Sequence, residues 1–281
     1  MYKYILTKKI KSMALLHCEE SFFFSSDKAN GAQNVSSDGS LFNVELYNPI
    51  SIPKEAIYCT LEVTASTIWN VSPNISAAIG NNKLNFNSGG ANAVITIPDG
   101  LYGVDELAAR IRIEVVKLGL PNDVFVFGAD DSTSKIVYHF HLRRRFIDFT
   151  QPDSFRDVLG FNSRLVPLTP QGAEHIEDGD TTAGFNRINN YLIKSDIISN
   201  GISVNAVSDS IIAAVLQLIT SKPGSQIVFT PFHPPKANAN QLIGHSKTNF
   251  GFRLTDEQGR AVDTQGQTYS FTIVIKYAIQ V

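Results

Sequence analysis

The chain has 281 residues, 43% hydrophobic and 18% charged, with a formal net charge of -2. That length carries one large core or two smaller ones, and a charge so near zero argues against bulk nucleic-acid packaging, which needs a strongly basic protein or tail. The longest apolar runs, such as Ile211 to Leu216, fall far short of the roughly 20 residues a helix needs to cross a bilayer, so no membrane span is expected.

The first stretch, MYKYILTKKIKSMALLHC, carries Lys3, Lys8, Lys9 and Lys11 and no acidic residue before Glu19. Its apolar piece, Met13 to Leu16, is shorter than the ~7–15 residues of a secretory apolar core, so no cleaved signal is expected. With the turn-rich linker 28–40 behind it, the segment 1–41 reads as a basic arm and linker. Alternation then predicts strands over Phe42 to Tyr47 and Tyr58 to Trp69, separated by Pro49 and Pro53 because proline cannot donate to a ladder. In the second strand Leu61, Val63 and Ala65 share one face, and Thr60, Glu62, Thr64 and Ser66 the other. A hairpin follows, Lys83 to Phe86 and Ala93 to Ile97 around Asn87-Ser-Gly-Gly90.

After Pro98-Asp-Gly100 the period changes. Leu107, Ile111, Val115 and Leu118 recur at helical spacing, Asp105 and Glu106 favour the first turn, and Gly119 and Pro121 end the helix. Strands at Val124 to Phe127 and Ile136 to Leu142, joined by the turn Asp130 to Ser134, lead to a short helix at Ser154 to Leu159 with Gly160 as its stop. Residues Asn162 to Phe185 hold two prolines and three glycines without periodicity, the mark of an exposed loop. β pattern resumes at Tyr191 to Asp196, Ser210 to Ile219 (equally consistent with a helix), Gln226 to Phe232, Gly251 to Asp256 and Tyr269 to Tyr277. The last alternates cleanly, with Tyr269, Phe271, Ile273, Ile275 and Tyr277 on one face. These patterns predict a mainly β chain: an antiparallel sandwich from 42–90 and 186–281, interrupted by an α+β insertion over 91–185.

Reactive signatures are missing from the sequence. There is no Gly-x-Ser-x-Gly, no phosphate-cradling loop ending in Lys, no His-Glu-x-x-His and no Cys-x-x-Cys, which leaves no residue on which to place an enzyme activity or a cofactor. His139 and His141 lie two apart on a predicted strand and share a face, but no third metal ligand is identifiable and Arg143, Arg144 and Arg145 oppose a cation. That arginine triplet, with Lys8, Lys9 and Lys11, is the candidate interaction surface, suited to phosphate or to an acidic partner. Asp130 and Asp131, and Glu177, Asp178 and Asp180, read as solvated loop acids. Cys18 and Cys59 are expected as reduced thiols, although a single bridge between them stays open. Asn34, Asn70 and Asn74 each begin a glycosylation triplet, which matters only in a secreted chain.

Four short motifs in order carry a resemblance: Ser66-Thr-Ile-Trp-Asn-Val-Ser-Pro-Asn-Ile75, Ile95-Thr-Ile-Pro-Asp-Gly-Leu-Tyr102, Ser154-Phe-Arg-Asp-Val-Leu-Gly-Phe161 and Phe252-Arg-Leu-Thr-Asp-Glu-Gln-Gly259. Together they resemble the minor capsid or penton-like jelly-roll proteins of double-stranded DNA viruses, the adenovirus, virophage and Polinton-type assemblage, over most of residues 42 to 281. The resemblance implies a jelly-roll sandwich and a non-enzymatic virion subunit. Such a subunit associates with itself, as a pentamer ahead of a trimer, and with other capsid proteins, with a weak nucleic-acid contact through the basic arm. A major jelly-roll capsid protein is the near alternative. A receptor- or glycan-binding spike module would instead use Trp69, Tyr102 or the loop 162–185, and a hydrolase would need a cleft with convergent titratable groups.

Overall fold

The computed structural model describes residues 14–124, 126–141, 145–169, 171–198, 201–204, 207–216 and 222–281. They fall into two compact units: the described parts of Met1–Trp69, Asn190–Ser221 and Gln226–Val281 form one, and Asn70–Asn189 with Lys222–Ser225 form the other. In chain order the first unit opens with β1 (Leu15–Ser25), β2 (Leu41–Ser51) and β3 (Ala56–Trp69). The second unit holds β4 (Lys83–Asn87), β5 (Asn92–Thr96), α1 (Val104–Lys117), β6 (Val126–Asp130), β7 (Lys135–Phe140), β8 (Phe146–Asp148), α2 (Arg156–Leu159), β9 (Leu165–Val166) and β10 (His175–Asp178). The chain then returns to the first unit with β11 (Asn190–Ser195), β12 (Ile202–Val204), β13 (Val207–Leu216), β14 (Gln226–Phe229), β15 (Lys236–Asn238), β16 (Ser246–Thr255) and β17 (Ser270–Gln280).

The first unit is an antiparallel jelly-roll sandwich. One sheet runs β1-β17-β3-β14, with β15 also paired to β3, and the other runs β12-β13-β11-β16-β2. Strands adjacent in sequence mostly lie in opposite sheets while the last strand sits between the first and third, which is the Greek-key wrapping of a jelly roll. Its interior is aromatic. Phe24 and Phe271 of one sheet meet Phe252 of the other at ring separations of 4.6 and 5.0 Å, and Phe42 meets Tyr269 edge-on at 5.4 Å. Tyr269, Phe271, Ile273, Ile275 and Tyr277 are all buried, as the alternation of β17 predicts. In β3 the alternation holds only as far as Val63: the register against β17 slips by one residue at Thr64, so Ser66 and Ile68, rather than Ala65, take the buried side beyond it. A bulge does this because its extra residue reverses the facing of everything that follows.

Two expected boundaries move. The stretch expected as arm contains β1, paired to β17 over eleven residues, so the sandwich begins before residue 42. The hairpin β4–β5, expected in the sandwich, belongs to the inserted unit, which starts at Asn70 rather than 91. That unit has two small sheets, β10-β7-β6 and β5-β4-β8-β9, and its own core, where Leu107, Ile111 and Val115 of α1 join Leu84, Phe86, Phe127, Tyr138 and Ile147. Helix α1 matches its expected span. Arg110 bridges Glu114 one turn on at 2.7 Å, and Gly119 ends the helix in the left-handed region at φ 74°.

Candidate interaction surfaces

Of the residues expected to form the basic surface, Lys8, Lys9, Lys11, Arg143 and Arg144 lie outside the described residues. Arg145 is described, and it does not belong to a surface: it is buried, its Nη1 donates to the Val124 carbonyl at 2.9 Å, and burial holds its pKa below the ordinary arginine value. A guanidinium spent on a backbone carbonyl closes a loop end, and the sequence cannot distinguish it from its two neighbours.

His139 of β7 and His141, just past its end, stack their rings 6.3 Å apart, and His141 Nδ1 lies 3.0 Å from Glu174. Among the described residues no group of three His, Cys, Asp or Glu side chains converges on a metal position. Asp130 accepts from the Ser132 hydroxyl and amide and from the Thr133 hydroxyl, which lower its pKa and make it the organiser of the β6–β7 turn. Cys18 and Cys59 both lie opposite Tyr277, one on each side of β17. Two strand spacings, about 9.5 Å, separate them, beyond the ~7 Å a disulfide can span. Both thiols are free, and burial pushes that of Cys59 up to about 11.

The stretch expected as an irregular loop over 162–185 contains β9 and β10, and β10 pairs antiparallel with β7. Arg164 holds it down. Its Nε donates to Asp180 at 3.0 Å and its Nη1 to Glu177 at 3.0 Å, while His175 Nε2 lies 2.8 Å from the other Glu177 oxygen. The Arg164 bond keeps the Asp180 carboxyl below the usual range, helped by the Asn162 amide. Sequence reasoning missed this hub because the strand His175-Ile-Glu-Asp178 has a single apolar residue and that residue, Ile176, is exposed.

Trp69 and Tyr102, named as contact residues of a glycan-binding module, are both half-buried. Tyr102 donates its hydroxyl to the Pro98 carbonyl and its amide to Asn74 Oδ1. The Asn74 side-chain amide is spent on the Tyr102 and Phe185 carbonyls at 2.7 and 2.9 Å, and Asn74 and Asn70 are both buried, so neither presents an amide for glycosylation. An open groove of about 520 Å³ crosses β4, β5 and β8, and Asp148 is the one titratable side chain in its lining. Both Asp148 oxygens are engaged by Thr150 and Gln151, so the groove brings no acid–base pair together.

What the surface does offer is apolar. On the sandwich Tyr47 is 97% and Phe232 92% exposed, with Phe23 of β1 at 66%; on the inserted unit Leu168 is 68% exposed, α1 turns Ile113 and Val116 outward, and Leu118, expected on the buried stripe, is exposed just past the helix end. Single apolar side chains are common on protein surfaces, but Tyr47 and Phe232 are large and almost wholly uncovered. Tyr47 and Phe232 were not legible as surface residues, since an aromatic residue in a strand-like run reads first as core.

No protein-family model matches the sequence, and no curated protein matches it. Among solved structures the chain is similar to the crystal structure of the mavirus penton protein, with a TM-score of 0.50 and 13% identity over 94% of this chain and 100% of that one. At that identity the likeness establishes a common fold.

Proposed function

We propose that the protein is a structural subunit of a virus particle, a jelly-roll capsid protein without catalytic activity. In this reading it forms a closed homo-oligomer, a vertex pentamer ahead of a trimer, set among other capsid proteins. One observation carries the proposal: the sandwich, with its inserted unit between β3 and β11, has a fold in common with a viral penton protein across nearly the whole chain. The physical chemistry agrees. An antiparallel sandwich needs no cofactor and frees its loops for neighbours, and the exposed Tyr47, Phe232, Leu168 and Val116 are groups that adjoining subunits would cover. Lys8, Lys9, Lys11, Arg143 and Arg144 are the proposed polar contacts, to a neighbouring subunit or to packaged nucleic acid.

The test is the composition of purified particles. Mass spectrometry should find the chain at a copy number well below that of the main shell protein, and gold-labelled antibody should mark vertices. Absence from purified particles overturns the capsid reading, and labelling across whole facets at high copy number moves it to a major capsid role.

A further inference from the structure

The sandwich has edge strands at both ends of each sheet, and most are guarded. β12 and β15 have three residues and β14 has four; β2 is long, but it contains Pro49, its register with β16 shifts, and Asn43 is covered by a bridge to Gln33. Short length, proline, bulges and cover are the devices that keep an edge from pairing with another chain. β1 has none of these four, and its one guard is charge, at Glu19 and Glu20. It pairs with β17 over eleven residues without a register shift, it contains no proline or lysine, and among the described residues no strand lies beyond it.

Two hydrogen bonds show which backbone groups face that open edge. Ser26 N–H donates to the Tyr269 carbonyl at 2.9 Å and Val281 N–H to the Ala14 carbonyl at 3.0 Å, at opposite ends of the ladder. In a continuous antiparallel ladder the groups turned toward the partner recur at every second residue. The even-numbered residues of β1 therefore bond to β17, while Leu15, His17, Glu19, Ser21 and Phe23 turn N–H and C=O outward. Beside them stand the exposed side chains of Leu15, Leu16 and Phe23 and the exposed carboxylates of Glu19 and Glu20.

We propose that this edge takes residues 2–12 of a second copy of the chain as an added strand. Charge selects the occupant. Full antiparallel overlap of two β1 edges would set Glu20 opposite Glu20, a like-charge pair that opposes self-pairing, whereas Lys3, Lys8, Lys9 and Lys11 complement Glu19 and Glu20. The segment is also strand-forming, with Tyr2, Tyr4, Ile5, Leu6 and Ile10, and its eleven residues, extended, reach about 36 Å, the length of the eleven-residue β1. The chain's own segment is poorly placed to do this. To pair with its own β1, the segment would have to turn at Met13-Ala14, and neither is the Gly, Asn or Asp that the left-handed positions of a two-residue hairpin turn favour. The inference goes beyond the virion reading and does not depend on it, because it concerns only how copies of the chain meet.

The full-length chain tests it. Isotope-labelled and unlabelled chains are mixed, refolded together and coupled with a carbodiimide, which joins neighbouring amines and carboxylates. The expected result is links from Lys8, Lys9 or Lys11 to Glu19 or Glu20 that join a heavy peptide to a light one. In parallel, amide exchange should show Leu15, His17, Glu19, Ser21 and Phe23 becoming protected together with every second amide of residues 2–12 as concentration rises, while the even-numbered amides of β1 stay protected throughout. Ser21→Pro removes an outward N–H without touching the β17 ladder and should cut the mixed links by about tenfold or more. If that variant does not fold, Glu19→Lys with Glu20→Lys should abolish the concentration-dependent protection instead. Links confined to peptides of one isotope, no lysine–glutamate link, or odd-numbered amides that exchange freely at every concentration would each overturn the proposal.

Discussion

Ile273 lies opposite Val63 in the middle of the first sheet, and both are fully buried. Replacing it by aspartate would place an unpaired carboxylate among aromatic rings, at a cost of several kcal/mol against a domain stability of about 5–15 kcal/mol. Ile273→Asp should therefore yield insoluble or unfolded protein; a soluble variant with an ordinary melting transition would show that β17 faces the other way. This much was legible, because a half-buried strand whose apolar residues sit at every second position can turn only one way. Glu62, two strands' width from β1, was not. It alternates as a solvent-facing residue should, yet it is buried, with Lys276 Nζ at 2.8 Å from its carboxylate. That Glu62–Lys276 bond raises the Lys276 pKa, a pairing across 214 residues that no local pattern encodes.

At the scale of elements, the segment after α2 is held by charge rather than by apolar burial. Arg164 joins β10 to the turn at Asp180, and the side chains of Arg164, Glu177 and Asp180 are each about one-fifth exposed, so each bond keeps only part of its strength against solvent screening. Arg164→Met should lower the stability of the inserted unit by about 1–2 kcal/mol. The pH dependence has a definite sign. Asp180 has a depressed folded pKa, so its contribution is present above the unfolded value of 3.8 and is lost as pH falls through the lower folded value. Thermal melting of the wild-type chain followed downward from neutral pH should show this acid-side loss, and Arg164→Met should show less of it. Equal slopes in the two proteins would mean that the pair does not stabilise the unit. The element that sequence reading placed best, α1, owes its legibility to four apolar residues at helical spacing; β1 and β10 were missed because edge strands bury too little to show a period.

For the whole molecule, the proposed ring sets a measurable mass. The 30.8 kDa chain should sediment as a closed pentamer, with a trimer as the alternative, and the same species should persist on dilution over the range where closure is complete. A monomer at every accessible concentration would count against a ring built by the chain alone. The amino-acid order by itself determined the mainly β character, the helical insertion and the facing of β17, since each rests on a local period that burial imposes on neighbouring residues. Tertiary structure alone decided that Leu15 to Ser25 is a strand of the sandwich, that the inserted unit begins at Asn70, that Arg145 is interior and that Thr64 reverses the facing of β3. The physical reason is shared: each is set by which segment lies alongside, β17 for β1 and for β3 and the Val124 carbonyl for Arg145, and a local period records that a segment is buried but not which segment it meets.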